Sequence, residues 1–400
     1  MAKEEHAPVW ARVDALPEKP TSGAFSLYGF VTSKGEISAE SIDELVEKVG
    51  KSKQGIDFVW SPESDRMQVP EEVPELRQVL WKRRRDWAES DLLDGKRVCW
   101  LFGAVLLWIF YASYQNSGGN FLKALQSPQL GVAGIMLLVL GLIPLYEGWK
   151  TLKKGEPDSD AEWQLEAEES RFDSWLSGQK ITATWFLIAA MICSGLIQLY
   201  LERGLDWSKY SVMKAGLLKG ENVEWWRYLT GPLLHGNVLH WVMNAGGLLY
   251  LGRRVELLAR WPHVIIVTVG SAWIAGITTS YLLVDKPSVG ASGGIMGLLG
   301  FLLVFEYLHS RLVPKCSRRR LVAMVTGTVV MGVLGFQFID NAAHAGGLLA
   351  GMAYAFIGFP VSKSPRRPSI LKQDRLIAWV MGVVVLGGIG LVFSKLLLGQ

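Results

Sequence analysis

The feature that most constrains this chain is a succession of long apolar runs beginning near residue 98. A bilayer core needs roughly 20 apolar residues per helix, with about 17 as a lower limit. Runs of that kind cover 98–114, 130–146, 181–201, 232–251, 264–284, 289–305, 321–336, 342–359 and 376–398. Backbone polar groups inside a bilayer must be satisfied within the segment, so each run is expected to be a helix. That makes about nine spans by hydropathy, and the fold class is an all-α polytopic membrane protein. Composition agrees: the chain is 50% hydrophobic with a mean hydropathy of +0.23, high for a soluble domain.

Basic residues gather in alternate loops. WKRRRDWAESDLLDGKR precedes the first run; WKTLKKGEPD, GRRVELLAR, SRLVPKCSRRR and SKSPRRPSILKQDR follow on the same expected side. The other side holds SGGNFLKALQSPQ, VDKPS and FQFIDN, with few positive charges. The positive-inside bias then puts the N-terminus in the cytoplasm and the C-terminus outside, in a plasma or inner membrane. The same distribution assigns the net charge of +4 to topology and lipid, and no nucleic-acid partner is expected. The stretch 82–85 can also touch anionic lipid. The opening MAKEEHAPVW has no apolar h-region, so no cleavable signal peptide is expected. Cys99 and Cys193 lie in apolar runs and Cys316 in a basic loop, a pattern of neither a disulfide framework nor a metal site.

Residues 1–80 are expected to form a small α/β soluble domain with an adaptor or regulatory role. AFSLYGFVTS and GIDFVW read as strands. SAESIDELVEKVG reads as a helix with Ser38 or Ser41 as its cap and an apolar stripe of Ile42, Leu45 and Val49. PEEVPELRQVLWKRR reads as a helix running into the basic juxtamembrane stretch. Residues 81–180 would hold the basic juxtamembrane stretch, two transmembrane helices and an acidic linker. In that linker Trp163, Phe172, Trp175 and Leu176 are expected at the membrane interface of a solvated helix. Residues 181–359 would form a six-helix core, and 360–400 a basic loop and an extra C-terminal span.

Three constellations within the core runs carry chemistry, because ionisable and polar residues inside a membrane are costly and default to functional candidates. The first is Ser292 in GASGG. The pattern G-x-S-x-G spells a nucleophile elbow, but an elbow joins a strand to an amphipathic helix, and here an apolar run follows. Gly293 and Gly297 also fit the small-xxx-small packing of membrane helices. The second is His344, followed at helical spacing by Gly347, Gly351 and Ala355. That face permits a close neighbour, and if the neighbour is the Ser292 helix, imidazole and hydroxyl come within hydrogen-bond reach. The third is His235, His240 and Asn244. His240 and Asn244 share a helix face and suit oxyanion donation; no carboxylate or cysteine in the run completes a metal site. Asp340, one turn before His344, reads as a boundary residue.

In this order, WWRYLT, HGNVLHWVMN, GASGG and AHAGGLLAG resemble the rhomboid intramembrane serine proteases, over roughly 181–359. The resemblance implies a six-helix rhomboid-like core with about three additional transmembrane helices. It implies Ser292 as nucleophile and His344 as base, with an oxyanion hole from the Ser292 backbone N–H, His240 and Asn244. It implies that Gly290 shapes the loop entering the nucleophile helix. Arg227 and the segment 205–231 match the family's first external loop, and Glu256 falls at its structural glutamate on the cytoplasmic side. His235, Gly293, Gly347 and Gly351 would support the site. Met296 stands four after the serine, where the family often has an aromatic; a thioether can still contact imidazole.

The function so implied is serine endopeptidase action on single-span membrane proteins, near the external membrane face and without metal or cofactor. The alternative is a non-proteolytic rhomboid-like protein that binds transmembrane clients; such relatives typically lack the serine or histidine. A transporter would show internal repeats, and none is apparent.

Overall fold

A computed structural model describes residues 7–20, 27–202, 210–220, 223–283 and 287–398. Outside them lie most of the MAKEEHAPVW opening, the start of AFSLYGFVTS, residues 205–209 and 221–222 of the expected first external loop, and residue 284. The described chain forms two compact units: residues 1–177 with 327–339, and residues 178–326 with 340–400.

In the first unit, β1 (Tyr28–Thr32) is the middle strand of a three-stranded antiparallel sheet. It pairs with β2 (Gly35–Ala39) on one side and β3 (Phe58–Trp60) on the other. A two-residue turn joins β1 to β2, and Gly35 leaves it at φ +128°, a conformation other residues rarely take. Strand β2 carries no apolar alternation, and four of its five residues are exposed; its strand character comes from pairing, not from its own pattern. Helix α1 (Ile42–Lys51) starts at Ser41, whose side chain accepts the Glu44 N–H. Ser41, and not Ser38, is therefore the cap. Leu45 and Val49 point inward, as the stripe requires.

The expected helix at PEEVPELRQVL begins later than its pattern suggests. Pro70 and Pro74 each open a short 3-10 turn, consistent with a residue that fits a first helical position but donates no hydrogen bond. Only at Arg77 does α2 (Arg77–Asn116) start, and it then runs 40 residues without a break. After α3 (Phe121–Leu125) come α4 (Pro128–Met136), a π-helical stretch Leu137–Leu142, and α5 (Ile143–Lys154). Glycines set the packing in this unit. A Cβ on Gly148 would lie 2.7 Å from the Ala88 carbonyl oxygen, and one on Gly131 would lie 2.6 Å from that of Leu334.

The acidic linker corrects an expectation. It forms α6 (Asp160–Gly178), but its aromatics do not face a membrane interface. Trp163 joins the core of the sheet domain with Phe30, Leu45, Val59 and Leu76. Phe172 meets Trp10 edge-on at 5.6 Å and Trp175 in a stack at 6.2 Å. Arg77 and Arg84 lie over the Trp163 ring, 5.7 and 5.5 Å from its centroid. The acidic side chains answer these cations, Glu166 pairing with both Arg84 and Lys154. Trp163→Ala should cost about 3–5 kcal/mol, as for a large core aromatic. Denaturation of the full chain followed by proteolysis of the N-terminal domain measures it; unchanged resistance would place Trp163 outside the core.

The second unit comprises α7 (Thr182–Glu202), α8 (Tyr210–Ala215), α9 (Arg227–Thr230), α10 (Val238–Ala259), α11 (Trp261–Leu282), α12 (Ser292–Leu308), the first part of α13 (Lys315–Leu334), α14 (Asn341–Gly358) and α15 (Lys372–Phe393). Each expected apolar run falls mainly within one helix or, at 130–146, on the continuous stretch from α4 to α5. By length and composition, five helices among the described residues can cross a membrane: Pro74–Asn116, Pro128–Lys154, Thr182–Glu202, Trp261–Leu282 and Lys372–Leu397. Ser292–Leu308 is apolar but shorter.

Two contacts fix the frame around the site. Glu256 on α10 caps the start of α7, accepting the N–H groups of Thr182, Ala183 and Thr184 at 2.7, 3.0 and 2.8 Å and the Thr184 hydroxyl at 2.7 Å. A carboxylate at a helix N-terminus satisfies free donors and meets the positive end of the dipole. Glu256→Ala should lower stability by about 2 kcal/mol, read as a fall in the thermal midpoint in detergent; an unchanged midpoint would contradict the capping role. At the other end of the unit, Val392 and Leu396 pack with Ala215, Leu233 and Leu234. The C-terminal helix thus backs the segment that leads into α10.

Candidate active site

Ser292, His344 and His240 all stand in the first turns of their helices. Ser292 is the first residue of α12. Its N–H therefore has no acceptor within the helix, as for every first-turn donor. His240 is the third residue of α10, where Asn237 caps the helix by accepting the His240 N–H at 2.8 Å. His344 is the fourth residue of α14, and its N–H donates to the Asp340 carbonyl at 3.0 Å.

The entry to α12 is shaped by Gly290, at φ +119°. A side chain there would be doubly excluded. A Cβ would lie 2.7 Å from Cε1 and 2.9 Å from Nε2 of His240, and 3.4 Å from Nδ2 of Asn244. The imidazole and the amide thus rest against the backbone two residues before Ser292. The Gly290 N–H donates to the Gly231 carbonyl at 3.0 Å, which pins the turn.

Glycines also decide how α12 meets α14. The Gly293 carbonyl oxygen sits 2.0 Å from where a Cβ on Gly347 would be, and the Gly297 oxygen 1.8 Å from one on Gly351. Real Cβ atoms cannot approach so closely, so only glycine permits this helix separation. The seam starts at the Ser292 end: a Cβ on Gly293 would lie 3.7 Å from the carbonyl of Ala343, the neighbour of His344. Met296 lies one turn further along α12 and is buried.

His235 is fully buried, and its ring meets that of His240 edge-on at 5.2 Å. Gln198 holds its backbone, accepting the His235 N–H at 3.0 Å and donating to its carbonyl at 3.1 Å. Nδ2 of Asn244 and Nδ1 of His344 are buried without a hydrogen-bond partner. Unpaired buried polar atoms cost about 1–3 kcal/mol each, and such exceptions in a native fold mark strain or function.

Arg227, placed in the first loop by the resemblance, holds that loop together. Its Nε donates to Glu224 at 2.6 Å and its Nη1 to the Gly216 carbonyl at 2.7 Å. The Thr230 hydroxyl adds a 2.5 Å bond to the Ala215 carbonyl. Two residues beyond Ala215, Leu217 pairs with Ser288 as a short antiparallel bridge, with N···O distances of 3.1 and 2.9 Å. The loop is thereby tied to the chain four residues ahead of Ser292.

Sequence reasoning missed Lys219. Its side chain is 1% exposed and its ammonium lies 3.1 Å from Oδ2 of Asp340. Nothing in the pattern around a loop lysine signals a partner that is distant in sequence. Asp340 does mark a boundary, as expected, being the N-cap of α14. Burial alone would raise its carboxyl, but the Thr279 hydroxyl, the Ala343 N–H, Ser288 and Lys219 outweigh that and hold it below the ordinary range. The depressed carboxyl adds stability above pH about 4, and that stability is lost as pH falls through its lower folded value.

The fold is thus a polytopic helical membrane bundle with Ser292, His240 and His344 in the first turns of their helices and Asn244 one turn beyond His240. A Rhomboid domain model matches residues 222–361. The chain is 32% identical over 173 residues to rhomboid protease GluP of Bacillus subtilis (strain 168), covering 41% of this chain and 32% of that one. It is 31% identical over 156 residues to RHOMBOID-like protein 6, mitochondrial, of Arabidopsis thaliana, covering 38% and 47%. It is 30% identical over 148 residues to putative rhomboid protease YdcA of B. subtilis, covering 36% of this chain and 72% of that relative. The chain belongs to the rhomboid family. Against GluP and the plant relative the match spans less than half of their length.

Proposed function

We propose that the chain is an intramembrane serine endopeptidase that cleaves single-span membrane proteins. The observation that carries the reading is the glycine seam. It brings the backbone beside Ser292 against the backbone near His344, while His240 and Asn244 rest on Gly290 at the entry to the Ser292 helix.

The chemistry follows from the groups gathered. Ser292 Oγ attacks the scissile carbonyl carbon as His344 takes the hydroxyl proton. The carbonyl oxygen gains the electron pair and is held by the Ser292 N–H, His240 and Asn244. Collapse of the tetrahedral intermediate breaks the C–N bond, and His344 returns the proton to the leaving amine. Water, deprotonated by His344, then resolves the acyl-enzyme and regenerates Ser292. A helical peptide bond is shielded by its neighbours, so a substrate must unwind locally before it is cut.

The same reading places the basic loops and the N-terminus on the cytoplasmic side of a plasma or inner membrane and Ser292 near the external face. It treats 181–359 as the protease core and 1–80 as a small cytoplasmic adaptor or regulatory domain. Incubating the purified protein in detergent with a single-span substrate, and sequencing the fragments, tests it. One cut near the substrate's external membrane boundary is expected; an intact substrate, or cleavage that persists in Ser292→Ala, would refute it.

A further inference from the structure

A lysine on a loop of a membrane protein ordinarily extends its ammonium to water or the lipid interface. Lys219 does the reverse. Its side chain is buried, and its Nζ donates to the Thr279 hydroxyl at 2.5 Å and to Asp340 Oδ2 at 3.1 Å. Thr279, on α11, is itself fully buried and donates to the same Oδ2 at 2.6 Å. The other carboxylate oxygen, Oδ1, accepts the Ala343 N–H at 3.0 Å and caps α14. One aspartate thus divides its two oxygens between a helix cap and a three-element ionic contact.

Stability is a weak reason for such an arrangement, because desolvating two charges offsets most of their attraction; the best-attested use of a buried polar pair is to specify one arrangement. The arrangement specified here concerns His344. The Asp340 carbonyl accepts the His344 N–H, so moving Asp340 moves the backbone of the base. At its other end, Lys219 follows by two residues the Leu217–Ser288 bridge, and Ser288 precedes Ser292 by four.

We propose that Lys219, Thr279 and Asp340 form a clamp that positions His344 relative to Ser292. None of the three touches the reacting atoms; they are positioning residues. The inference rests on the Ser292–His344 reading. The loop that carries Lys219 is bonded to the approach to Ser292, while its ammonium is bonded to the cap of the His344 helix. The clamp therefore connects both halves of the dyad through one short segment.

The test compares full-length wild type, Lys219→Met, Asp340→Asn, Thr279→Val and the Lys219→Met/Asp340→Asn double variant in detergent. A fluorophosphonate reports two quantities: the fraction of molecules labelled, and the rate at which they label. The clamp predicts that each single variant labels to the wild-type fraction but roughly ten- to a hundredfold more slowly, the penalty expected of a slightly misplaced group. It predicts that kcat on a single-span substrate falls by the same factor with KM unchanged. The double variant loses no more than the worse single, since both changes remove one interaction. Should Lys219→Met fail to fold, Asp340→Asn decides, because asparagine also caps helices well. Wild-type labelling rates in the variants, with only the labelled fraction or the thermal midpoint reduced, would make the contact structural and overturn the proposal. A wild type that labels nowhere, or at a residue other than Ser292, would instead remove the dyad reading, and the clamp with it.

Discussion

Ser292→Ala is expected to abolish proteolysis, lowering the cleavage rate by roughly 10⁴-fold or more, and His344→Ala to do nearly the same. The two groups act as a unit: without the hydroxyl there is no nucleophile, and without the imidazole nothing accepts its proton. The double variant should therefore be no slower than either single. Neither change should disturb the fold. Ser292 opens α12 without capping it, and the His344 N–H bond to Asp340 is a backbone bond that alanine keeps. The comparison is a cleavage time course beside a thermal melt. Loss of the melt in Ser292→Ala would mean a structural serine, and full cleavage in His344→Ala would mean another base.

Gly351→Ala is expected to have the largest effect on the fold of any single methyl group near the site. Its Cβ would stand 1.8 Å from the Gly297 carbonyl oxygen and 2.6 Å from the carbonyl carbon. Those atoms are backbone and cannot rotate away, so α14 must move off α12. Overpacking of a tight interior costs about 1–3 kcal/mol, and contact with backbone puts this case at the upper end or beyond it. Activity should fall further than stability, because separating the helices separates the residues beside Ser292 and His344. Gly246→Ala on α10 supplies the contrast: a Cβ there meets nothing within 4 Å, and alanine is the better helix former by about 1 kcal/mol. Thermal midpoints and cleavage rates of both variants decide the matter. Equal behaviour would show that the seam is not tight.

Much of this was legible in the sequence for a physical reason. A bilayer forces helices and penalises polar residues, so the apolar runs and the serine, histidines and asparagine within them stand out with little interference. Glycines at spacing four marked a face open to a close neighbour, which α12 and α14 supply to each other, and Gly290 takes a left-handed conformation two residues before the serine. Elsewhere the signal was ambiguous. Trp163, Phe172 and Trp175 fit both a membrane-interface belt and the apolar stripe of an amphipathic helix; only the sheet domain beside them makes the second correct. Strand β2 shows no alternation, because its ladder comes from β1. The capping choice between Ser38 and Ser41 turned on where that strand ends. Lys219 and Asp340 stand 121 residues apart in sequence, and an ion pair at that separation leaves no local pattern.

The central claim is that Ser292 is an activated nucleophile. It is tested most directly by treating the purified protein with a fluorophosphonate and mapping the adduct by peptide mass spectrometry. The account predicts one adduct, on Ser292, absent from Ser292→Ala and formed far more slowly in His344→Ala. An adduct on any other serine, or labelling undiminished in Ser292→Ala, would contradict it.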